Sequence, residues 1–290
     1  MINPDFTPPP LSCDTHFHVF GPKDQYPAQS RARYESPIAT LADYRVLADR
    51  LGIERMVFVQ PSAYGTDNSC MLDAMEAVAD RARGIVDINE DCPDSLLDDL
   101  HSRGVRGVRI NTSPIAPYDP GRIAELLPRV DKLAQRLTGT GWCLEFLGPA
   151  WLTEALMPAM RKLPVPYIVD HMGMFLARDG VDQKGFQDLL RLTESGNCWI
   201  KLTGVYRMSQ QEPDFDDSVL FARALADRSP GRLIWGTDFP HLSFDHLDSV
   251  SLFNLLAKWF PDEDVRNRIL VTNPSELFGF EPAEPKDSRT

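Results

Sequence analysis

Residues 55–111 read RMVFVQPSAYGTDNSCMLDAMEAVADRARGIVDINEDCPDSLLDDLHSRGVRGVRIN. Three short runs rich in Val and Ile stand out: Arg55–Pro61, Arg83–Asn89 and Val105–Asn111. Each has the length and residue types of a buried strand. Between them lie two amphipathic stretches with helix punctuation. Asp67 and Asn68 precede SCMLDAMEAVADRA, which ends at Gly84, and Pro93 leads into DSLLDDLHSR, which ends at Gly104. Capping residues or proline at the start and glycine at the end are what helix termini require. Strand, helix, strand, helix, strand is the pattern of parallel pairing, because a parallel crossover needs a dozen or more residues.

The same alternation extends in both directions. Further strands are expected at Leu11–Phe20, Trp142–Leu147, Val165–Asp170, Trp199–Gly204 and Leu233–Asp238, making eight in all. Thr40 precedes LADYRVLADRL and Gly52 follows it, while Phe186–Leu192 and Ser218–Ala226 carry apolar residues at helical spacing. Pro128 and Pro158 fall inside helical stretches and are expected to kink or split them. Eight right-handed crossovers close into a (β/α)8 barrel of the α/β class. A doubly wound open sheet is the competitor, but the chain has no GxGxxG, no P-loop and no GxSxG elbow. The barrel is expected to span 11–280 as a single domain, with an N-terminal extension over 1–10 and a disordered tail over 281–290.

Composition narrows the function classes. Thirty Lys and Arg against 42 Asp and Glu give a net charge of −12 over 290 residues. That argues against a nucleic-acid or membrane surface as partner, since both require clustered positive charge. Five cysteines, widely spread and without a CxxC pair, suggest neither a disulfide framework nor a structural zinc site. No signal peptide and no membrane-length apolar run are found, so a cytoplasmic location is expected. Nothing specifies an oligomeric state.

Active sites of such barrels lie at the C-terminal ends of the strands. The first strand carries Asp14-Thr15-His16-Phe17-His18, and a period of two places Asp14, His16 and His18 on one face. Two adjacent imidazoles bind one metal or polarise one substrate oxygen, although an isolated HxH is more often a hydrogen-bonded interior pair. His171 at the end of the sixth strand and Asp238 at the end of the eighth open onto the same mouth, which favours function. Arg109 near the end of the fourth strand and Arg207 after the seventh suit a substrate carboxylate. Ser62 and Tyr206 also fall at strand ends. Glu145 and Lys201 are candidates for an internal pair, whereas His101, His241 and His246 read as surface or loop residues.

DTHFHVFGP (14–22), GVRGVRIN (104–111), VDHMG (169–173) and WGTDFPH (235–241) together resemble the amidohydrolase superfamily. Within it they resemble the branch of the 2-pyrone-4,6-dicarboxylate lactonases, from about Leu11 to Phe280. The resemblance implies a lactonase in which Asp238 activates water and His16, His18 and His171 surround the lactone carbonyl. Arg109 and Arg207 would then bind carboxylate, with Ser62 and Tyr206 as further substrate contacts. It also implies that no metal is required, with one zinc-like ion on His16, His18 and Asp238, together with His171, as the alternative. Two departures stand out. After the fourth strand this chain reads Asn111-Thr112-Ser113-Pro114-Ile115 where those enzymes have an arginine, and Glu145-Phe146-Leu147 where they have a tyrosine. The expected substrate is thus a small anionic lactone, among which a muconolactone or sugar-acid lactone fits better than the pyrone dicarboxylate. A zinc-dependent decarboxylase, a lactone isomerase and a catalytically silent binding barrel are the competing readings.

Overall fold

The computed structural model describes residues 2–281. Eight strands form one sheet: β1 (Cys13–Phe17), β2 (Arg55–Val59), β3 (Ala82–Val86), β4 (Val105–Asn111), β5 (Cys143–Leu147), β6 (Tyr167–Val169), β7 (Cys198–Leu202) and β8 (Leu233–Trp235). Every neighbouring pair is parallel and the strand order follows the sequence. The connections carry α1 (Leu41–Leu51), α2 (Ser69–Glu76), α3 (Asp94–Ser102), α4 (Pro120–Leu137), α5 (Ala150–Met160), α6 (Lys184–Thr193) and α7 (Ser218–Arg228), and α8 (Ser249–Trp259) follows β8. This is the expected (β/α)8 barrel.

Closure between β1 and β8 is made by a few contacts. The Asp238 amide donates to the His16 carbonyl at 2.8 Å and the His18 amide to the Phe239 carbonyl at 2.9 Å. Asp14 clasps the seam, accepting from the Thr237 amide at 3.0 Å, the Thr237 hydroxyl at 2.6 Å and the Tyr44 hydroxyl at 2.9 Å. Asp14 therefore does not share a face with His16 and His18. An irregularity between Asp14 and Phe17 in the β1–β2 register breaks the period of two, so Cys13 joins the interior cluster, Asp14 turns outward and His16 returns inward. A bulge of this kind redirects side chains without ending the strand.

The interior below the mouth is apolar: Cys13, Val57, Val59, Ile85, Cys143, Ile168, Trp199 and Ile234 pack together with Leu277, Phe278 and Phe280. A second, larger apolar layer lies between strands and helices. Thr40 caps α1 with a reciprocal Asp43 bond, and Gly52 ends it in the left-handed conformation. Residues 2–10 are not detached, since Phe6 stacks on Phe253 of α8 with ring centroids 4.6 Å apart.

Several expected boundaries differ. The helix after β2 stops at Glu76, and Ala79–Arg81 forms a separate 3-10 turn because Ala79 takes a positive φ of 44°. Pro128 and Pro158 do not split their helices, since α4 and α5 run through both. The cost of a proline inside a helix, about 3 kcal/mol for the lost backbone bond and the ring clash together, is outweighed in α4 by burial of Leu126, Val130, Leu133, Ala134 and Leu137. The expected tail lies, from residue 282 onward, outside the described residues.

Gly236 marks the tightest point of the seam. A β-carbon there would lie 2.5 Å from the His16 nitrogen and 2.8 Å from Asp14 Oδ1. Gly236→Ala should lower the unfolding free energy by about 1–3 kcal/mol, the usual cost of overpacking, read from urea denaturation. Unchanged stability would show that the seam relaxes freely.

Candidate active site

The mouth opens into a cavity of about 430 Å³. His18, Arg109, His171, Tyr206, Arg207 and Asp238 line its inner part; Arg33, Tyr34, Ser62, Asn111 and Ser113 line the outer part. His16 is fully buried and lies beneath this surface.

Asp238 is the centre of the arrangement. Its Oδ1 lies 3.5 Å from His16 Nε2 and 3.6 Å from His18 Nε2. Its Oδ2 lies 3.5 Å from Arg207 Nε and 3.9 Å from His171 Nε2, and accepts the Tyr206 hydroxyl. Burial would raise the Asp238 carboxyl, but the surrounding His171, His18, Arg207 and His16 outweigh it and hold the group well below the usual carboxylate range. Both Asp238 (φ 59°) and His171 (φ 49°) adopt the left-handed conformation, which costs non-glycine residues about 1–3 kcal/mol and is typical of functional positions. The chain turns sharply after β8 and β6, and that turn aims both side chains into the mouth. Gly204 leaves room for the His171 ring, because a β-carbon there would lie 2.6 Å from Nδ1.

Below Asp238 is a fully buried ionic layer. Lys201 Nζ contacts Glu145 and lies 3.0 Å from His16 Nδ1 and 3.7 Å from Asp170 Oδ1. Arg109 Nε lies 3.1 Å from Glu145 Oε1, its Nη2 donates to Asp170 Oδ2 at 3.1 Å, and its Nη1 donates to the Gln60 carbonyl at 3.0 Å. The expected Glu145–Lys201 pair is thus present. Arg109 is largely committed to it while still lining the cavity. Burial and Asp170 push the Glu145 carboxyl up, to about 7, against the pull of Lys201 and Arg109.

These partners set the imidazole tautomers. His16 Nδ1 lies 3.0 Å from Lys201 Nζ, which can only donate, and 3.5 Å from Asp170 Oδ1, which can only accept. With the shorter contact to Lys201 as the hydrogen bond, Nδ1 accepts and the ring hydrogen sits on Nε2, 3.5 Å from Asp238 Oδ1. His18 Nδ1 lies 2.8 Å from the Val59 carbonyl, which can only accept, so neutral His18 keeps a bare Nε2 facing Asp238. His171 Nδ1 lies 2.6 Å from the Thr203 hydroxyl.

Two groups of metal-type donors come within reach of one another among the described residues: His16, His171 and Asp238, and His16, Glu145 and Asp170. His18, expected as a ligand, belongs to neither. Lys201 and Arg109 already supply cations to the second group. In the first, a ligating imidazole gives its other N–H to an acceptor; His16 Nδ1 has Asp170 Oδ1 at 3.5 Å for that role but the Lys201 ammonium closer, at 3.0 Å, and its Nε2 is buried without a hydrogen-bond partner. His18 and His171 have partners compatible with ligation.

The residues that sequence reasoning did not place in the site are Asp170, Thr203, Arg33 and Tyr34. His241 lies in a loop, as expected, but is not on the surface: it is 3% exposed, 3.5 Å from the Tyr206 hydroxyl and bonded to Ser249 at 2.7 Å. His101 accepts from Trp142 at 2.9 Å, and His246 pairs with Glu212, both away from the cavity.

The family model described as Amidohydrolase matches residues 13–280. This chain belongs to the amidohydrolase family. It is 38% identical over 283 residues to the 4-sulfomuconolactone hydrolase of Hydrogenophaga intermedia, covering 96% of this chain and 92% of that one. It is 32% identical over 288 residues to a 2-pyrone-4,6-dicarboxylate hydrolase of Comamonas testosteroni, covering 95% and 92%. A solved structure from Agrobacterium tumefaciens superposes with a TM-score of 0.86 at 29% identity, covering 97% and 100%. No helix among the described residues of this amidohydrolase is long and apolar enough to cross a membrane.

Burial lowers His171 to about 4, against roughly 6.5 in an unfolded chain. Between those values the unfolded state binds the extra proton, so stability falls as pH drops from 6.5 towards 4. The loss attributable to His171 should be about 3 kcal/mol by pH 4. Thermal melting of wild type and His171→Asn across pH 4–7 checks this: the variant should show a shallower slope, and parallel slopes would refute it.

Proposed function

We propose that this amidohydrolase opens an anionic lactone by attack of water activated by Asp238. The observation that carries the reading is an ionised carboxylate at the head of a closed-bottomed cavity, with the bare His18 Nε2 3.6 Å from its Oδ1. A water between the two gives one hydrogen to each, which leaves an oxygen lone pair free for the ring carbonyl. Asp238 takes the proton as the C–O bond forms; collapse of the tetrahedral intermediate then breaks the ring acyl C–O bond, and the proton on Asp238 passes to the departing ring oxygen. Charge develops on the carbonyl oxygen during the attack, and the donors lining the cavity beside Asp238 are Arg109 and His171, the latter once Thr203 donates to its Nδ1. Arg207, stacked on Tyr206 and Phe244 at 5.2 Å from each ring, takes the substrate carboxylate and fixes the angle of attack. His16 touches no substrate in this scheme; it orients Asp238, and Ser62 supplies a hydrogen bond at the rim.

The relatives named as lactone hydrolases support this chemistry. The 38% identity to a sulfomuconolactone hydrolase favours a substituted muconolactone over the pyrone dicarboxylate. No metal is required in this reading, which rests on the hydrogen that Lys201 leaves on His16 Nε2. An isomerase would re-form the ring and release no net acid.

Acid release from a panel of muconolactones, aldonolactones and 2-pyrone-4,6-dicarboxylate tests the proposal. One lactone should be opened, with rates within about twofold after dialysis against a chelator. Asp238→Asn should lower kcat about 10²–10⁴-fold, the worth of a general base, while ligand affinity changes little. Undiminished turnover in that variant would remove Asp238 as the base.

A further inference from the structure

His241 is buried but is not among the residues lining the cavity. It stands three residues past Asp238 on the loop that leaves β8, and its amide donates to the Asp238 carbonyl at 2.8 Å. Asp238, His241 and Ser243 all hold positive φ on this loop, at 59°, 59° and 69°. A non-glycine residue keeps that conformation only where its surroundings over-determine it. For Asp238 the turn aims a carboxylate into the cavity; for His241 it places two ring contacts. Nδ1 faces the Tyr206 hydroxyl at 3.5 Å, and Nε2 meets the hydroxyl of Ser249, the first residue of α8, at 2.7 Å.

The direction of each hydrogen bond follows from its neighbour. The Tyr206 hydroxyl donates its one hydrogen to Asp238 Oδ2, an ionised carboxylate oxygen that only accepts. Toward His241 the hydroxyl therefore offers a lone pair, and His241 Nδ1 carries the ring hydrogen. In the neutral ring Nε2 is then bare and accepts from Ser249. Ser249, His241 and Tyr206 thus donate in one direction, each to the next, and the line ends on Oδ2. Donors aligned head to tail polarise one another, which strengthens the last bond. The same carboxylate keeps its Oδ1 toward His16 and His18, at 3.5 and 3.6 Å.

Resting on the lactone reading above, we infer that Tyr206, His241 and Ser249 form a positioning line that pins Oδ2 of Asp238 and reserves Oδ1 for the attacking water. Tyr206 lines the cavity, yet its hydroxyl is spent on the base and not on substrate. A carboxylate so held is restrained from turning the other oxygen to the water, which lowers the orientation cost of each turnover. His241 touches no reacting atom and acts through Tyr206.

Kinetics and NMR test the line together. Tyr206→Phe should lower kcat about 10- to 100-fold, the worth of one hydrogen bond to a charged group, with KM within about threefold. His241→Ala should lower kcat about 3- to 10-fold, the worth of a neutral hydrogen bond. His241→Asn, which keeps an N–H near the Nδ1 position, should return most of that loss. Added to Tyr206→Phe, His241→Ala should cost less than about a further twofold, because the line is already broken. Losses that multiply, equal losses in the Ala and Asn variants, or a Tyr206→Phe effect confined to KM would overturn the line. ¹⁵N NMR of histidine-labelled wild type, with His241 assigned from His241→Asn, should show hydrogen on Nδ1 and a bare Nε2. The Nδ1 signal should move in Tyr206→Phe. Hydrogen on Nε2 would overturn the line whatever the kinetics. If the NMR behaves as stated while wild type opens no lactone, the hydrolase reading falls and the positioning line stands.

Discussion

The Lys201 ammonium, buried in the barrel with no exposed surface, is the constraint around which the rest of the mouth is arranged. A charge removed from water must be paired and hydrogen-bonded or it destabilises the fold by several kcal/mol. Here it is shared among Glu145, Asp170 and His16, and Arg109 completes the pairing of both carboxylates. Two cations face two carboxylates in this layer, and it ties together side chains from β1, β4, β5 and β7 and the residue that follows β6. Because an ammonium only donates, it also decides the tautomer of His16 and thereby what Asp238 faces.

That rigidity supports a strained rim. Asp238 and His171 hold left-handed backbone conformations that isolated peptides avoid, and Gly204 and Gly236 admit the close approaches those turns need. The clasp of Asp14 on Thr237 and Tyr44 holds the β1–β8 seam from the outside. His16 on β1 and Asp238, three residues past the end of β8, are thus joined by a direct backbone bond, which fixes their separation without help from a ligand.

Much of this was readable in the chain. Eight apolar runs, with proline or capping residues before helices and glycine after them, specified the barrel, and strand-end position picked out His16, His18, His171 and Asp238. The ionic layer was partly legible too. Glu145, Asp170 and Lys201 each stand two residues beyond an interior residue, Cys143, Ile168 and Trp199, so strand alternation predicts that they point inward. Which of them pair with one another depends on barrel closure, and the sequence carries no local signal of that. The bulge after Asp14 reversed the expected facing because it inserts a residue that alternation cannot foresee. Arg33 was invisible for another reason: it stands on a loop and meets Asn111, 78 residues away, only once the barrel has formed.

The most direct test of the account is the protonation state of His16, read by ¹⁵N NMR of histidine-labelled protein at neutral pH, with His16 assigned by comparison with a His16→Gln variant. The account predicts a neutral ring with hydrogen on Nε2 and Nδ1 accepting from Lys201, unaltered by a chelator. A ring protonated on Nδ1, or one whose Nε2 signal changes when metal is removed, would contradict it.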